Sequence, residues 1–177
     1  MALARTPKLL LSACLLFGVA ACGVDAREGA AALGAGAPAK AAAAQSATES
    51  QFGTEHRFAS GITISVSAPQ SFKPSAAAYP RSQRAASFDI EVTNNGADAY
   101  KLSGLAVTAS ISGRPAKQVV DATQGLNGIF DAGKDLQSGR TARMTLAFAV
   151  PEQTTQLKVL LRPSAAEPGA VTYGGAA

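Results

Sequence analysis

The chain has 177 residues, 47% of them hydrophobic but only 6% aromatic, with two cysteines, one histidine and no tryptophan. Sixteen basic and 12 acidic residues give a formal net charge of +4, too small a surplus to imply a nucleic-acid partner. So few cysteine and histidine side chains leave no set for a structural zinc site, and no cofactor is expected.

Arg5 and Lys8 precede an apolar run from Leu9 to Ala21. The run is too short to cross roughly 30 Å of hydrocarbon, and its charge-then-apolar order is that of an export signal over residues 1–21. Val19-Ala20-Ala21-Cys22 resembles the bacterial lipobox, in which small residues fit the signal peptidase and the cysteine sulfur takes up a diacylglyceryl group. Cys22 then becomes the lipidated first residue of the mature protein, anchoring it to the cell membrane on the extracytoplasmic face. The alternative is an ordinary secretory signal cut at an A-x-A-like site. Cys14 leaves with the signal, so on the lipoprotein reading no free thiol remains for a disulfide, a metal or a nucleophile. Loss of Arg5 and Lys8 also reduces the basic residues to 14 against 12 acids.

Residues 22–50 are rich in alanine and glycine and carry almost no large apolar side chain, so they read as a linker unable to offset the entropy of ordering. As a coil of about 28 residues it reaches roughly 30 Å. A folded domain over 51–177 is expected to follow, because a period of two takes over after Phe52. Ile62, Ile64 and Val66 alternate with polar neighbours, as do Phe88, Ile90 and Val92. Asn94-Asn95-Gly96 then predicts a tight hairpin turn with positive φ. Leu105, Val107, Ala109 and Ile111 form a third inward face, closed by Gly113, and Lys117–Ala122 a weaker piece. Met144, Leu146, Phe148 and Val150 end at Pro151; Leu157, Val159 and Leu161 end at Pro163. Ala170–Tyr173 reads as a short edge strand. Six to eight strands without an amphipathic helix predict an all-β fold. An immunoglobulin-like antiparallel β-sandwich leads, with a small closed barrel as the alternative.

FDIEVTNNGADAY (Phe88 to Tyr100), SISGR (Ser110 to Arg114) and DAGKDLQSGRTARMTLAFAVP (Asp131 to Pro151) resemble a family of exported bacterial immunoglobulin-like domains of unknown function. The family includes the mycobacterial immunoprotective antigen and many actinobacterial lipoproteins. The shared pattern is a strand ending in VTNNG, a following tyrosine, then a leucine and a glycine turn opening a strand that ends in F-x-VP. Ser138 stands where the family more often has proline before the glycine. The resemblance covers about residues 61–163 and rests on turn and core positions. It implies a cell-envelope sandwich and supplies no catalytic residue.

The chemistry-bearing residues are sparse. His56 lies before the first alternating strand with no second histidine to complete a metal set, and no nucleophile elbow accompanies it. Asp121, Asp131 and Asp135 are the nearest approach to a calcium-type cluster, but Lys134 intrudes and the twelfth-position glutamate of an EF-hand is missing. Lys73, Tyr79, Arg81 and Arg84 share a long connection with Phe72 and are the candidate partner-binding residues, suited to an envelope protein or an anionic polymer. The sequence therefore reads as a membrane-tethered, non-enzymatic binding module. A structural spacer or accessory subunit, and a divalent-ion-binding protein, are the alternatives; the oligomeric state is left open.

Overall fold

The computed structural model describes residues 47–129 and 133–177. The signal, Cys22, the linker as far as residue 46, and Asp131 lie outside them. The strands, in chain order, are β1 (Ala47–Gln51), β2 (Glu55–Arg57), β3 (Ile62–Val66), β4 (Gln70–Phe72), β5 (Ala85–Asn94) and β6 (Tyr100–Lys101). They continue as β7 (Ala106–Ile111), β8 (Arg114–Ala116), β9 (Asp135–Leu136), β10 (Thr141–Ala149), β11 (Gln156–Arg162) and β12 (Ala170–Ala176). Among the described residues the helical content is two three-residue 3-10 turns, Leu102–Gly104 and Ala122–Gln124. No described helix is long and apolar enough to cross a membrane.

Two separate sheets form the body, one ordered β1-β12-β11-β7-β8 and the other β10-β5-β3-β2, with β4 also on β5. The protein is thus an immunoglobulin-like β-sandwich, and the closed barrel is set aside. β3 and β4 divide one side of β5, because the chain breaks step at Ser67-Ala68-Pro69. Pro69 has no amide donor, and Ser67 spans the gap: its amide donates to the Asp89 carbonyl at 2.9 Å while its hydroxyl accepts from the Asp89 amide at 2.9 Å.

The alternating residues fill the core as the pattern predicts. Phe88, Ile90 and Val92 of β5 and Met144, Leu146 and Phe148 of β10 join one cluster with Leu157, Val159 and Leu161 of β11. Phe88 stacks on Phe148 with centroids 5.8 Å apart, and Phe52 on Tyr173 at 6.2 Å. Tyr173 donates its buried hydroxyl to the Ile64 carbonyl at 2.7 Å, and Tyr100 donates to the Pro163 carbonyl at 2.6 Å. Burial pushes both phenols up to about 12, so they keep the donated proton well into the alkaline range.

Four local expectations change. β12 is no edge strand: β11 flanks it on one side, and β1 pairs with it in parallel on the other, from Ala47↔Ala170 to Gln51↔Gly174. β1 begins inside the stretch expected as linker, and one pair in the sandwich is therefore parallel. Its sequence ATESQ has no inward face; backbone pairing to β12 holds it, with an exposed Lys158–Glu49 ion pair at 3.0 Å.

The Asn94-Asn95-Gly96 segment carries the chain out of its sheet rather than closing a hairpin, and none of the three has positive φ. Asn94 is buried, with Nδ2 donating to the Asp98 and Leu136 carbonyls, both at 2.8 Å, and Oδ1 accepting from the Gly96 amide at 2.9 Å. Glycine is needed here for proximity, since a Cβ at position 96 would stand 2.7 Å from the Ser60 carbonyl oxygen. The tight hairpin occurs instead at Ser112-Gly113, between β7 and β8, with φ of 49° and 76°; positive φ at both central residues is the I′ geometry that matches strand twist. Finally, Lys117–Ala122 forms isolated bridges instead of a strand.

Candidate functional site

The candidate site is built on the outward side of the β10-β5-β3 sheet, where the sequence places alanine instead of a polar residue. Ala85 of β5 and Ala147 of β10 are fully buried although they point away from the main core. They join a second apolar cluster with Ala78, Val119 and Leu126, against which Phe72 and Ala149 pack. Small outward side chains leave room for a second layer of chain. Two connections form it: residues 73–84, between β4 and β5, and residues 117–129, after β8. Together they make a flap over this end of the sheet.

Hydrogen bonds fix the flap. The Val119 amide donates to the Ala147 carbonyl and the Ala149 amide to the Lys117 carbonyl, both at 2.8 Å, so the flap extends the β10 edge. Asp121, 0% exposed, joins the two connections. One carboxylate oxygen accepts from the Ser75 amide at 2.7 Å; the other accepts from the Ser75 hydroxyl at 2.8 Å and the Thr123 hydroxyl at 2.7 Å. These bonds, led by that from Thr123, hold the carboxyl below its ordinary range against the opposing effect of burial. Asp121 is therefore a clasp, with its lone pairs directed into the fold.

The predicted partner-binding residues separate into three kinds. Tyr79 is 81% exposed, and Val120 beside it 42%; they are the exposed large hydrophobic residues of the described chain. Their backbones exchange two 2.8 Å hydrogen bonds, so both side chains stand on the same side of an ordered bridge. Lys73 and Arg81 line a shallow pocket of about 350 Å³ with Ser82 and Gln83. Arg84 is committed to the scaffold: its Nε donates to the Ser71 hydroxyl at 2.7 Å, and Nη1 to the Pro151 and Gln153 carbonyls at 2.8 and 3.2 Å. Phe72 turns toward the second cluster.

The other chemical candidates are dispersed. His56, in β2, packs edge-on against Phe58 at 4.6 Å. Asp135 is exposed in β9, across from Lys101. Among the described residues no three histidine, cysteine or acidic side chains come together as a metal site. A larger hollow of about 580 Å³ lies over the polar end of the same sheet face, lined by Ser65, Ser67, Asp89, Glu91, Arg143 and Thr145, with Gly53, Gly125 and Gly128 in its walls. Sequence reading missed this groove because its residues come from three separated strands, each reading as an ordinary solvated face. The clasp was missed for a related reason: Ser75 and Asp121 are 46 positions apart.

No family model matches the chain, and no curated protein matches it. Solved structures do share the fold. A candidate lipoprotein of Bacillus subtilis, ycdA, aligns with a TM-score of 0.55 at 16% identity over 71% of this chain, which spans 38% of that one. The yjhA protein of Bacillus subtilis aligns at 0.51 with 11% identity, over 70% of this chain and 98% of its own. MPT63, a secreted protein of Mycobacterium tuberculosis, aligns at 0.52 with 13% identity, over 73% and 98%. At such identities the likeness is one of fold, and the resemblance drawn from the turn and core residues holds at that level.

Proposed function

We propose that the protein is an exported lipoprotein, anchored through Cys22, whose sandwich acts as a non-enzymatic binding module of the bacterial envelope with the flap as its contact face. The observation that carries this reading is Tyr79: a tyrosine 81% exposed on backbone bonded in both directions to Val120. An aromatic side chain on rigid backbone loses little conformational entropy when a partner covers it, which is why such residues anchor interfaces. Lys73 and Arg81 add positive charge at the rim, favouring an anionic partner. The export signal and lipobox supply the location, and solved structures of similar fold include a candidate lipoprotein and a secreted protein.

A photo-crosslinking residue at position 79 of the full chain, expressed in intact cells, tests the contact face. The expected result is one discrete adduct from position 79 and none from position 145, on the polar end of the same sheet. Equal capture at both positions, or none at 79, refutes it. Radiolabelled palmitate tests the anchor: incorporation should vanish in Cys22→Ala, and label persisting in that variant would refute lipidation at Cys22.

A further inference from the structure

We propose that the pocket between Lys73 and Arg81 is a binding site for a phosphate group. This rests on the reading of the flap as the contact face and names the chemistry that face recognises. The pocket is lined by Lys73, Pro74, Ser75, Ala76, Arg81, Ser82 and Gln83, so it carries two positive charges and no carboxylate. Neither cationic head group has an ion-pair or hydrogen-bond partner among the described residues. In contrast, the neighbouring Arg84 spends its donors on Ser71, Pro151 and Gln153.

The second observation is Ser82. Its hydroxyl oxygen is buried yet has no hydrogen-bond partner, a condition that leaves desolvation uncompensated and that native structures rarely tolerate without a reason. For that hydroxyl to meet a ligand in the pocket that Ser82 itself lines, its χ1 must turn. An oxyanion seated there would accept from Arg81 through a planar fork, from Lys73 as a point charge, and from the Ser82 hydroxyl and the Gln83 amide. Phosphate matches this set, with several equivalent acceptor oxygens and enough charge to engage both cations.

Asp121 stands behind the Ser75 wall, but its charge is already stabilised by three donors. It holds the wall in place: the Ser75 amide and hydroxyl both point back at it, which fixes the turn that carries Lys73. The pocket is shallow and its cations exposed, so the free ion should bind with a dissociation constant on the order of 1 mM.

The test uses the full chain, isotopically labelled, and records backbone amide shifts of residues 73, 75, 76 and 81–83 on titration with inorganic phosphate at constant ionic strength. Saturable shifts confined to these residues are expected. Lys73→Ala with Arg81→Ala should weaken binding about tenfold or more, and Ser82→Ala about threefold. Arg143→Ala, on the polar groove, should bind as the parent does. A melting temperature within about 2 °C of the parent shows that each variant is folded.

Vesicles of phosphatidylglycerol and of phosphatidylcholine then separate the sources. Phosphate shifts together with sedimentation on phosphatidylglycerol alone support the site and identify a lipid headgroup. Phosphate shifts without sedimentation support it as a site for a soluble or polymeric phosphate. Unsaturable shifts, shifts spread over the surface, or sedimentation without a phosphate response overturn the proposal. Discrete crosslinking at position 79 alongside any of those three results would leave the binding module standing and remove only the pocket.

Discussion

The two ends of the outward face of the β10-β5-β3 sheet share strands and register, yet one is open and the other covered. At the open end Asp89, Glu91, Arg143 and Thr145 border the 580 Å³ groove. At the covered end Ala85, Ala147 and Ala149 face the flap. The difference lies in what the outward positions carry. Charged side chains hold water over the sheet; methyl groups hold none and let a second layer of chain approach. Burying Val119 and Leu126 contributes about 1.5–3 kcal/mol each, which offsets the ordering of only a few residues at about 1–2 kcal/mol apiece. The flap therefore also needs its polar bonds, and the Asp121 clasp supplies several of them at one point.

The largest effect should come from making the covered end resemble the open one. Ala147→Lys places an ammonium group in the apolar cluster of Ala78, Val119 and Leu126, and should cost about 3 kcal/mol or more in urea unfolding. Thr145→Lys, two positions along the same face and next to Asp89, should change stability by no more than about 1 kcal/mol. Equal costs at the two positions would mean that the alanines do not determine where the second layer forms.

A smaller, local effect should follow from loosening the clasp. Asp121→Asn keeps the shape but allows only one oxygen to accept, so at least one Ser75 donor loses its partner; hydrogen exchange at Ser75, Tyr79 and Val120 should quicken about tenfold while β5 and β10 stay protected. Acid should act in the same direction. The folded pKa of Asp121 is depressed below its ordinary 3.8, so its contribution is present above that value and is lost as pH falls through the lower folded one. In Asp121→Asn that acid-dependent loosening of the flap should be absent.

The main sandwich was legible because its information lies in near neighbours: Ile62-x-Ile64-x-Val66, Phe88-x-Ile90-x-Val92 and Leu157-x-Val159-x-Leu161 each announce an inward face within five residues. What could not be read depends on distant partners. β1 has no face of its own and exists because β12 offers it a free row of backbone groups, so the same omission made β12 look like an edge. Asn94-Asn95-Gly96 has hairpin composition, but the close approach of Ser60 and the polar socket around the Asn94 side chain decide its geometry. In the candidate site, the basic and aromatic chemistry of Lys73, Tyr79, Arg81 and Arg84 was visible; which arginine is free was not. Arg84 is held by carbonyls of the turn after β10, 67 and 69 positions away.

The smallest effect should come from the open end itself. Arg143 Nε donates to Glu91 Oε2 at 2.7 Å, with the two side chains 77% and 39% exposed. In water-like surroundings the attraction is weak and the ordering of two long side chains opposes it, so Arg143→Ala should cost less than about 0.5 kcal/mol. The double variant Arg143→Ala with Glu91→Gln should match the sum of the single variants to within about 0.5 kcal/mol. A coupling of several times that size would show the groove to be a braced structure like the flap. Additivity would instead establish that this end keeps its form through the strands beneath it, leaving its charges free to meet solvent or a ligand without loss of stability.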